Sequence, residues 1–246
     1  MRILTTQGKQ LSEVIVEVNK SIGTITVQTN VPFKELATEK INIQIQRANG
    51  DNIEITNGNV PLNEFILLGT MGDDAIGCNR ALEYAIKASI ELVEPEMSSI
   101  HLFDKDLIRI ALTGLNKTKT YVIDGHEAPL TTTDVITYER KSMNSEHENM
   151  DFDVEGFDAC VITDKRTITE LNLRFDNGNV VKTTTEELRQ LGENLDPIAQ
   201  VNLDGTVTPS FENYLQLPLK GIVSINIRKE QGEVVSVLLR HDQDLK

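Results

Sequence analysis

Between residues 41 and 46 the chain alternates strictly, with Ile41, Ile43 and Ile45 apolar and Asn42, Gln44 and Gln46 polar. A period of two is that of a strand with one face inward. The alternation breaks at Asn49-Gly50, a pair that readily supplies the two positive-φ residues of a tight hairpin turn, so Ile53-Glu54-Ile55 is expected to return antiparallel. A helix signal follows. Pro61 stands where a first helical residue would, Leu62, Phe65, Ile66 and Leu68 cover one side, and Gly69 offers a left-handed stop. The same steps recur in residues 169–192: Leu171, Leu173 and Phe175 alternate with Asn172 and Arg174, Asn177-Gly178 turns, and Val180-Val181 returns. Thr184 and Glu187 then have capping-box spacing, Leu188, Leu191 and Leu195 share a helical face, and Gly192 falls where Gly69 did.

A second echo closes each half. Ile108, Ile110 and Leu112 followed by Tyr121, Val122 and Ile123 match Val223, Ile225 and Ile227 followed by Ser236, Val237 and Leu238 at one constant offset, which also sets Gly125-His126-Glu127 on Arg240-His241-Asp242. The order hairpin, helix, terminal hairpin in both halves favours duplication over the chance likeness of unrelated hairpins.

The remaining pattern fills in around these units. Residues 1–10 are polar and read as an arm, loose until something docks on it. Val14, Val16 and Val18, then Thr24 to Val27 after Gly23, give two short strands, and the Gly- and Asp-rich stretch 69–77 reads as an exposed connection. Residues 80–93 fit either a helical face or an alternating strand, and are read as a short turn of helix leading into a strand that Pro95 stops. Ala128 to Thr133 looks like a linker. The second half opens on Val135 to Tyr138 and a polar surface loop, and residues 196–218 carry the Gly and Pro punctuation of short strands and long loops. About eight strands and one helix per half predict an all-β chain of two sandwich or barrel domains, 11–127 and 134–246, joined through 128–133.

Composition narrows the function. The 246 residues suffice for two cores, and 39% hydrophobic with 25% charged residues is an ordinary globular balance. Lys and Arg number 24 against 38 Asp and Glu, a net charge of −14, and no Lys/Arg run exceeds two, so direct nucleic-acid binding is not expected. The N-terminus lacks the apolar region of a secretory signal, and no stretch approaches the roughly 20 apolar residues of a membrane span. Cys78 and Cys160, one in each half, read most simply as reduced core thiols, with an interdomain disulfide as the alternative.

Candidate chemistry is sparse. Asp151-Phe152-Asp153-Val154-Glu155-Gly156 starts like a calcium loop, but Ile162 stands where the bidentate Glu belongs, and acids alternating with Phe152 and Val154 suit a strand with a wet face better. His101, His126, His147 and His241 are isolated, without the pair spacing of a jelly-roll metalloenzyme. Phosphate-cradling and nucleophile-elbow motifs are missing, and so is tryptophan, with aromatics at only 4%, which disfavours a glycan-stacking platform. Asn116-Lys117-Thr118 has glycosylation spacing and, without a secretory signal, no expected use. No catalytic, cofactor-binding or metal residue is assigned, and no enzyme activity is expected.

Two consecutive β-rich halves, each with an Asn-Gly hairpin feeding a short helix that ends in Leu-Gly and each closing on a long hairpin, resemble the double jelly-roll major capsid proteins of tailless icosahedral bacteriophages with an internal membrane. The resemblance is architectural and spans residues 11–242. It implies two tandem eight-stranded jelly rolls, each with one short helix between strands. It also implies homotrimers that act as pseudo-hexameric capsomers in a virion shell, made in a host cytoplasm, with neighbouring capsomers, a penton protein and the internal viral membrane as partners. The alternatives are a tandem β-sandwich spike, tail or adhesion module and, less favoured, a jelly-roll enzyme acting on glycans.

Overall fold

The computed structural model describes residues 1–36, 38–71, 77–79, 84–94, 97–163, 167–188, 199–201, 207–209 and 214–244. The chain divides into two compact units, one of Met1–Tyr138, Ile198–Ser210 and Asp242–Lys246, the other of Glu139–Pro197 and Phe211–His241.

The first unit is built from β1 (Arg2–Thr5), β2 (Glu13–Val18), β3 (Thr24–Thr29), β4 (Lys40–Gln46), β5 (Asn52–Glu54), β6 (Val60–Pro61), helix α1 (Leu62–Gly69), β7 (Gly77–Asn79), β8 (Tyr84–Glu91), β9 (Ser98–Ile100), β10 (Leu107–Thr113), β11 (Tyr121–His126) and β12 (Leu130–Thr132). One sheet runs β1-β11-β3-β8-β7 and the other β2-β10-β4-β5. Their inward rows, Ile25 and Val27 on β3, Ile41, Ile43 and Ile45 on β4, Ile86 and Ile90 on β8 and Ile108, Ile110 and Leu112 on β10, are buried with Phe65 and Leu68 of α1.

The second set comprises β13 (Asp134–Met143), β14 (Asn149–Asp153), β15 (Ala159–Thr163), β16 (Ile168–Phe175), β17 (Val180–Thr183), β18 (Ala199–Val201), β19 (Val207–Pro209), β20 (Tyr214–Pro218), β21 (Ile222–Lys229) and β22 (Val235–Asp244). Its sheets run β13-β22-β15-β20 and β14-β21-β16-β17, while β18 and β19 form a separate ribbon grouped with the first unit. Phe152, Cys160, Ile162, Leu171, Leu188, Ile225, Val237 and Leu239 belong to the second core.

Both sets obey one rule. If the framework strands of each are counted in chain order, the first lies beside the last, then the third and the sixth, and the second lies beside the seventh, the fourth and the fifth. This is the jelly-roll arrangement of two wound Greek keys. The helical segments, α1 and residues 185–188, occupy the same connection between the fifth and sixth framework strands. The fold is therefore all-β, two tandem eight-stranded jelly rolls with a short helix in each.

Several local expectations change. The two Asn-Gly turns match each other, but each uses one positive φ rather than two: Gly50 at +91° and Gly178 at +82°, with neither asparagine in that region. Gly50 N–H donates to Arg47 O and Gly178 N–H to Phe175 O, each at 3.0 Å. A turn closed by a single left-handed glycine accommodates the strand twist through a bulge. Gly69 is not a left-handed stop. It ends α1 at the point where a Cβ would sit 2.5 Å from Cγ2 of Ile90, so close packing of helix on β8 requires the missing side chain. Gly192 lies outside the described residues.

The N-terminal segment read as a loose arm contains a framework strand. β1 pairs antiparallel with β11, Leu4 is buried, and Ile3 fills the space over Gly125, where a Cβ would meet its Cδ1 at 2.5 Å. Four residues carry too little pattern to announce a strand whose partner is more than a hundred positions away. Within the expected linker, Leu130–Thr132 pairs parallel with Ser98–Ile100. Tyr84–Glu91 is strand throughout, because pairing with β3 fixes one alternating face and removes the helical option. Residues 80–83 and Pro95 lie outside the described residues.

The structural repeat carries one slip in register. Ile110 stands opposite Ile43 and Ile225 opposite Leu173. Superposing Gly50 on Gly178 and Ile110 on Ile225 would instead put Ile225 opposite Leu171. A displacement of two residues keeps every side chain on its original face, which is why the pattern in sequence does not reveal it.

Candidate assembly surfaces

The residues singled out for chemistry do not converge. His126 Nε2 lies 2.9 Å from Thr26 Oγ1, which in turn lies 3.0 Å from Ser89 Oγ, a polar rung across β11, β3 and β8. His241 Nδ1 lies 2.7 Å from Gly156 O, with its ring edge-on to Phe157. His126 ends β11, whereas His241 lies within β22, which runs on to Asp244, and the two have different surroundings. His101 contacts Thr131 and the Phe103 ring, and His147 sits in the turn after β13. Among the described residues no group of three or more His, Cys, Asp or Glu is placed to hold a metal ion. Asp151 and Asp153 point outward from β14 while Phe152 and Val154 are buried, the wet-faced strand expected. Cys160 is fully buried, and that burial pushes its thiol far above the ordinary range. The side chain of Cys78 lies outside the described residues.

What the folded chain offers is surface. Across the outer face of the β2-β10-β4-β5 sheet, Glu17, Arg109, Gln44 and Glu54 stand in one row, with Gln44 Nε2 2.5 Å from Glu54 Oε1. The corresponding sheet of the second roll carries Asn149, Asn226 and Asn172 in hydrogen-bonded sequence, at 2.8 and 3.3 Å, ending on Glu170 and Lys182. Hydrogen bonds from Lys182 and then Asn172 hold the Glu170 carboxyl below the ordinary carboxylate range. Gln44 with Glu54 in the first row, and the series from Asn149 to Lys182 in the second, pair within their own sheets, so both outer faces are polar.

The edges differ. β2 and β5 end one sheet, and β14 and β17 end its counterpart. Glu13 and Glu17 flank exposed Ile15 on β2, whereas β17 presents Val180 and Val181, 61% and 48% exposed, beside Lys182. Flanking charges discourage indiscriminate pairing of a free edge, and consecutive valines invite it.

A built loop, residues 101–106, exposes an aromatic side chain. The buried Asp106 carboxylate accepts from Arg47 Nη1 at 2.5 Å and from the backbone N–H groups of Ala48 and Phe103 at 3.0 Å each. Desolvation pushes this carboxyl up, but the Arg47 hydrogen bond, then the two backbone donors and the guanidinium charge, bring it below 3.8. Phe103 stands 56% exposed between the Arg47 guanidinium, 4.9 Å from its centroid, and His101 at 4.7 Å. Met97, at φ +64° in the turn just before β9, and Leu130 on the neighbouring strand β12 are also prominently exposed. Among the described residues no helix is long and apolar enough to cross a membrane.

Neither a protein-family model nor a curated protein matches the sequence. Solved structures do match the fold, and the class they define is the double jelly roll of viral major capsid proteins. The major capsid protein P2 of bacteriophage PM2 superposes with a TM-score of 0.55 at 10% identity, over 95% of this chain and 93% of that one. The STIV MCP gives 0.56 at 10% identity over 94% and 91%. A chain of the atomic structure of Sulfolobus Turreted Icosahedral Virus gives 0.58 at 9% identity over 95% and 87%. The coverage is nearly complete in both directions, so the match is to the two-roll chain rather than to one roll.

Proposed function

We propose that this chain is a major capsid protein that self-assembles into trimers, each a pseudo-hexameric capsomer, and that these tile an icosahedral virus shell. The observation that carries the reading is one jelly-roll strand order written twice in a single chain, matched end to end by capsid proteins. The physical reason is symmetry: three copies of a two-roll chain present six similar lateral faces, which one gene product can use to cover a closed surface. In this reading residues 11–127 and 134–246 are the rolls, 128–133 connects them, and the segment before residue 11 contributes the first strand.

The protein acts by binding copies of itself, with a penton protein and an internal membrane as further partners and the virion as its place of action after synthesis in the host cytoplasm. A net charge of −14 suits a shell that does not touch the genome directly. Polar sheet faces, strands that end their sheets among the described residues, and exposed loops are the materials of lateral contacts.

The test is native mass by size-exclusion chromatography with light scattering, followed by electron microscopy of concentrated samples. Three times the chain mass of 27.5 kDa, and closed shells or sheets of capsomers, are expected. A chain that stays monomeric at every concentration, in purified form and in infected-cell lysate, overturns the reading in favour of a tandem spike or adhesion module.

A further inference from the structure

We propose that Asn57 is a built-in deamidation site, at which the folded protein converts slowly and spontaneously to aspartate and isoaspartate. The sequence contains three Asn-Gly steps, 49–50, 57–58 and 177–178. At each, glycine lets the backbone nitrogen approach the asparagine side chain. The reaction needs that nitrogen to lose its proton and attack Asn Cγ. A carbon–nitrogen bond forms, the bond to the side-chain nitrogen breaks, and ammonia leaves with the proton. Water then opens the succinimide at either carbonyl, leaving aspartate or isoaspartate.

The structure separates the three steps. The N–H groups of Gly50 and Gly178 are committed to turn hydrogen bonds with Arg47 O and Phe175 O, both 3.0 Å. Losing the proton there would set an amide anion against a carbonyl lone pair. The side chains are held as well: Asn49 Oδ1 accepts from Asp51 N–H at 3.1 Å, and Asn177 Oδ1 from Asn179 N–H at 3.0 Å. At the third step, Asn57, Gly58 and Asn59 are exposed, and among the described residues neither the Gly58 N–H nor the Asn57 side chain has a hydrogen-bond partner. The nucleophile and its target are free while the chain around them is fixed. Asn57 N–H donates to Tyr138 O at 2.8 Å, and Gly58 O accepts from Asn42 Nδ2 at 2.8 Å and Thr56 Oγ1 at 3.2 Å.

Isoaspartate adds a carbon to the main chain between these two anchors and so displaces Gly58 O. That carbonyl is the shortest contact of the buried Asn42 amide, and Thr56 Oγ1 also supports Ile43 N–H at 2.8 Å, so the modification loosens the return from β5 to β6. Each conversion also adds one negative charge.

The full-length protein, aged in mildly alkaline buffer at physiological temperature, is mapped by peptide mass spectrometry, with isoaspartate counted by enzymatic methyl transfer. Asn57 is expected to convert about tenfold faster than Asn49 or Asn177, the factor that a hydrogen bond of ordinary net strength supplies. In urea the three steps should converge to similar rates. The Asn57→Gln variant should remove the fast phase and keep the melting temperature of aged samples at its starting value. Equal rates in the folded state, a faster conversion at Asn49 or Asn177, or a folded Asn57 slower than its urea-unfolded counterpart by more than the other two would each overturn the assignment.

Discussion

Replacing Asp106 with alanine removes the acceptor of three donors at once: the Arg47 guanidinium and the backbone N–H groups of Ala48 and Phe103. The side chains of Asp106 and Arg47 are only 2% and 10% exposed, so water replaces little of what is lost. Removing one member of a buried pair costs about 3–5 kcal/mol, chiefly through the uncompensated partner. At about 2–4 °C per kcal/mol for a domain of this size, the melting temperature should fall by roughly 6–20 °C. Thermal and urea unfolding of D106A, R47M and the double variant measure it, and the double should be less destabilised than the sum of the singles by about 1–3 kcal/mol. The pH dependence has a fixed sign. The folded carboxyl lies below 3.8, so its stabilisation is complete above that value and is lost as pH falls through the lower folded one. The acid limb of stability should therefore be shallower in D106A. A loss below about 1 kcal/mol, additive singles, or an unchanged acid limb would refute the picture of a buried pair that fixes the Phe103 loop.

Three further outcomes follow from particular contacts. Gly69→Ala should destabilise by about 1–2 kcal/mol, because overpacking against Ile90 outweighs the gain in helix propensity, and the cost should vanish in an I90A background; an equal cost in both backgrounds by urea unfolding would assign it elsewhere. Deleting residues 1–5 should lower the melting temperature markedly, since burial of Leu4 alone is worth about 2–5 kcal/mol, whereas a loose arm would be dispensable. The Glu187 carboxyl is lowered from 4.5 first by the Thr184 N–H, then by the hydroxyls of Thr184 and Thr183, so an NMR titration should place it below 4.5, with the cap contribution complete above 4.5 and lost as pH falls through the lower folded value. Thr184→Ala should raise it part of the way, and an unmoved titration would count against the capping box.

The features legible in sequence were those whose causes are local. The alternation of residues 41–46, both Asn-Gly turns, the Thr184–Glu187 capping box with Thr184 N–H 2.8 Å from Glu187 Oε2, and the wet-faced β14 each depend on neighbours within a few positions. Features that escaped depend on distant partners. β1 is a strand because β11 supplies its hydrogen bonds. Tyr84–Glu91 is a strand because β3 does. Gly69 is glycine because of Ile90, and the Arg47–Asp106 pair joins positions 59 apart with no pattern between them. Of the candidate surfaces, exposure at Phe103, Met97 and Leu130 had no signal in sequence, because a single apolar residue in a short loop or a three-residue strand reads the same whether it is buried or presented.

The two rolls share a framework and differ at their margins, and this division of labour is what the proposed shell requires. Both rolls keep what folding needs, namely the strand order, the bulged Asn-Gly hairpin and the helical connection after the fifth framework strand. A two-residue slip between β16 and β21 was tolerated because it left the core faces intact. The fifth-strand edges differ, since in the register set by the two turn glycines β5 carries Asn52, Ile53 and Glu54 where β17 carries Val180, Val181 and Lys182. Six identical faces would let any roll dock against any other, including the wrong one. Specificity is a difference between right and wrong contacts, and unlike edges on the two rolls supply it without a second gene. In the proposed trimer, an acidic fifth-strand edge on one roll and a basic, more apolar one on the other would keep the two kinds of roll distinguishable.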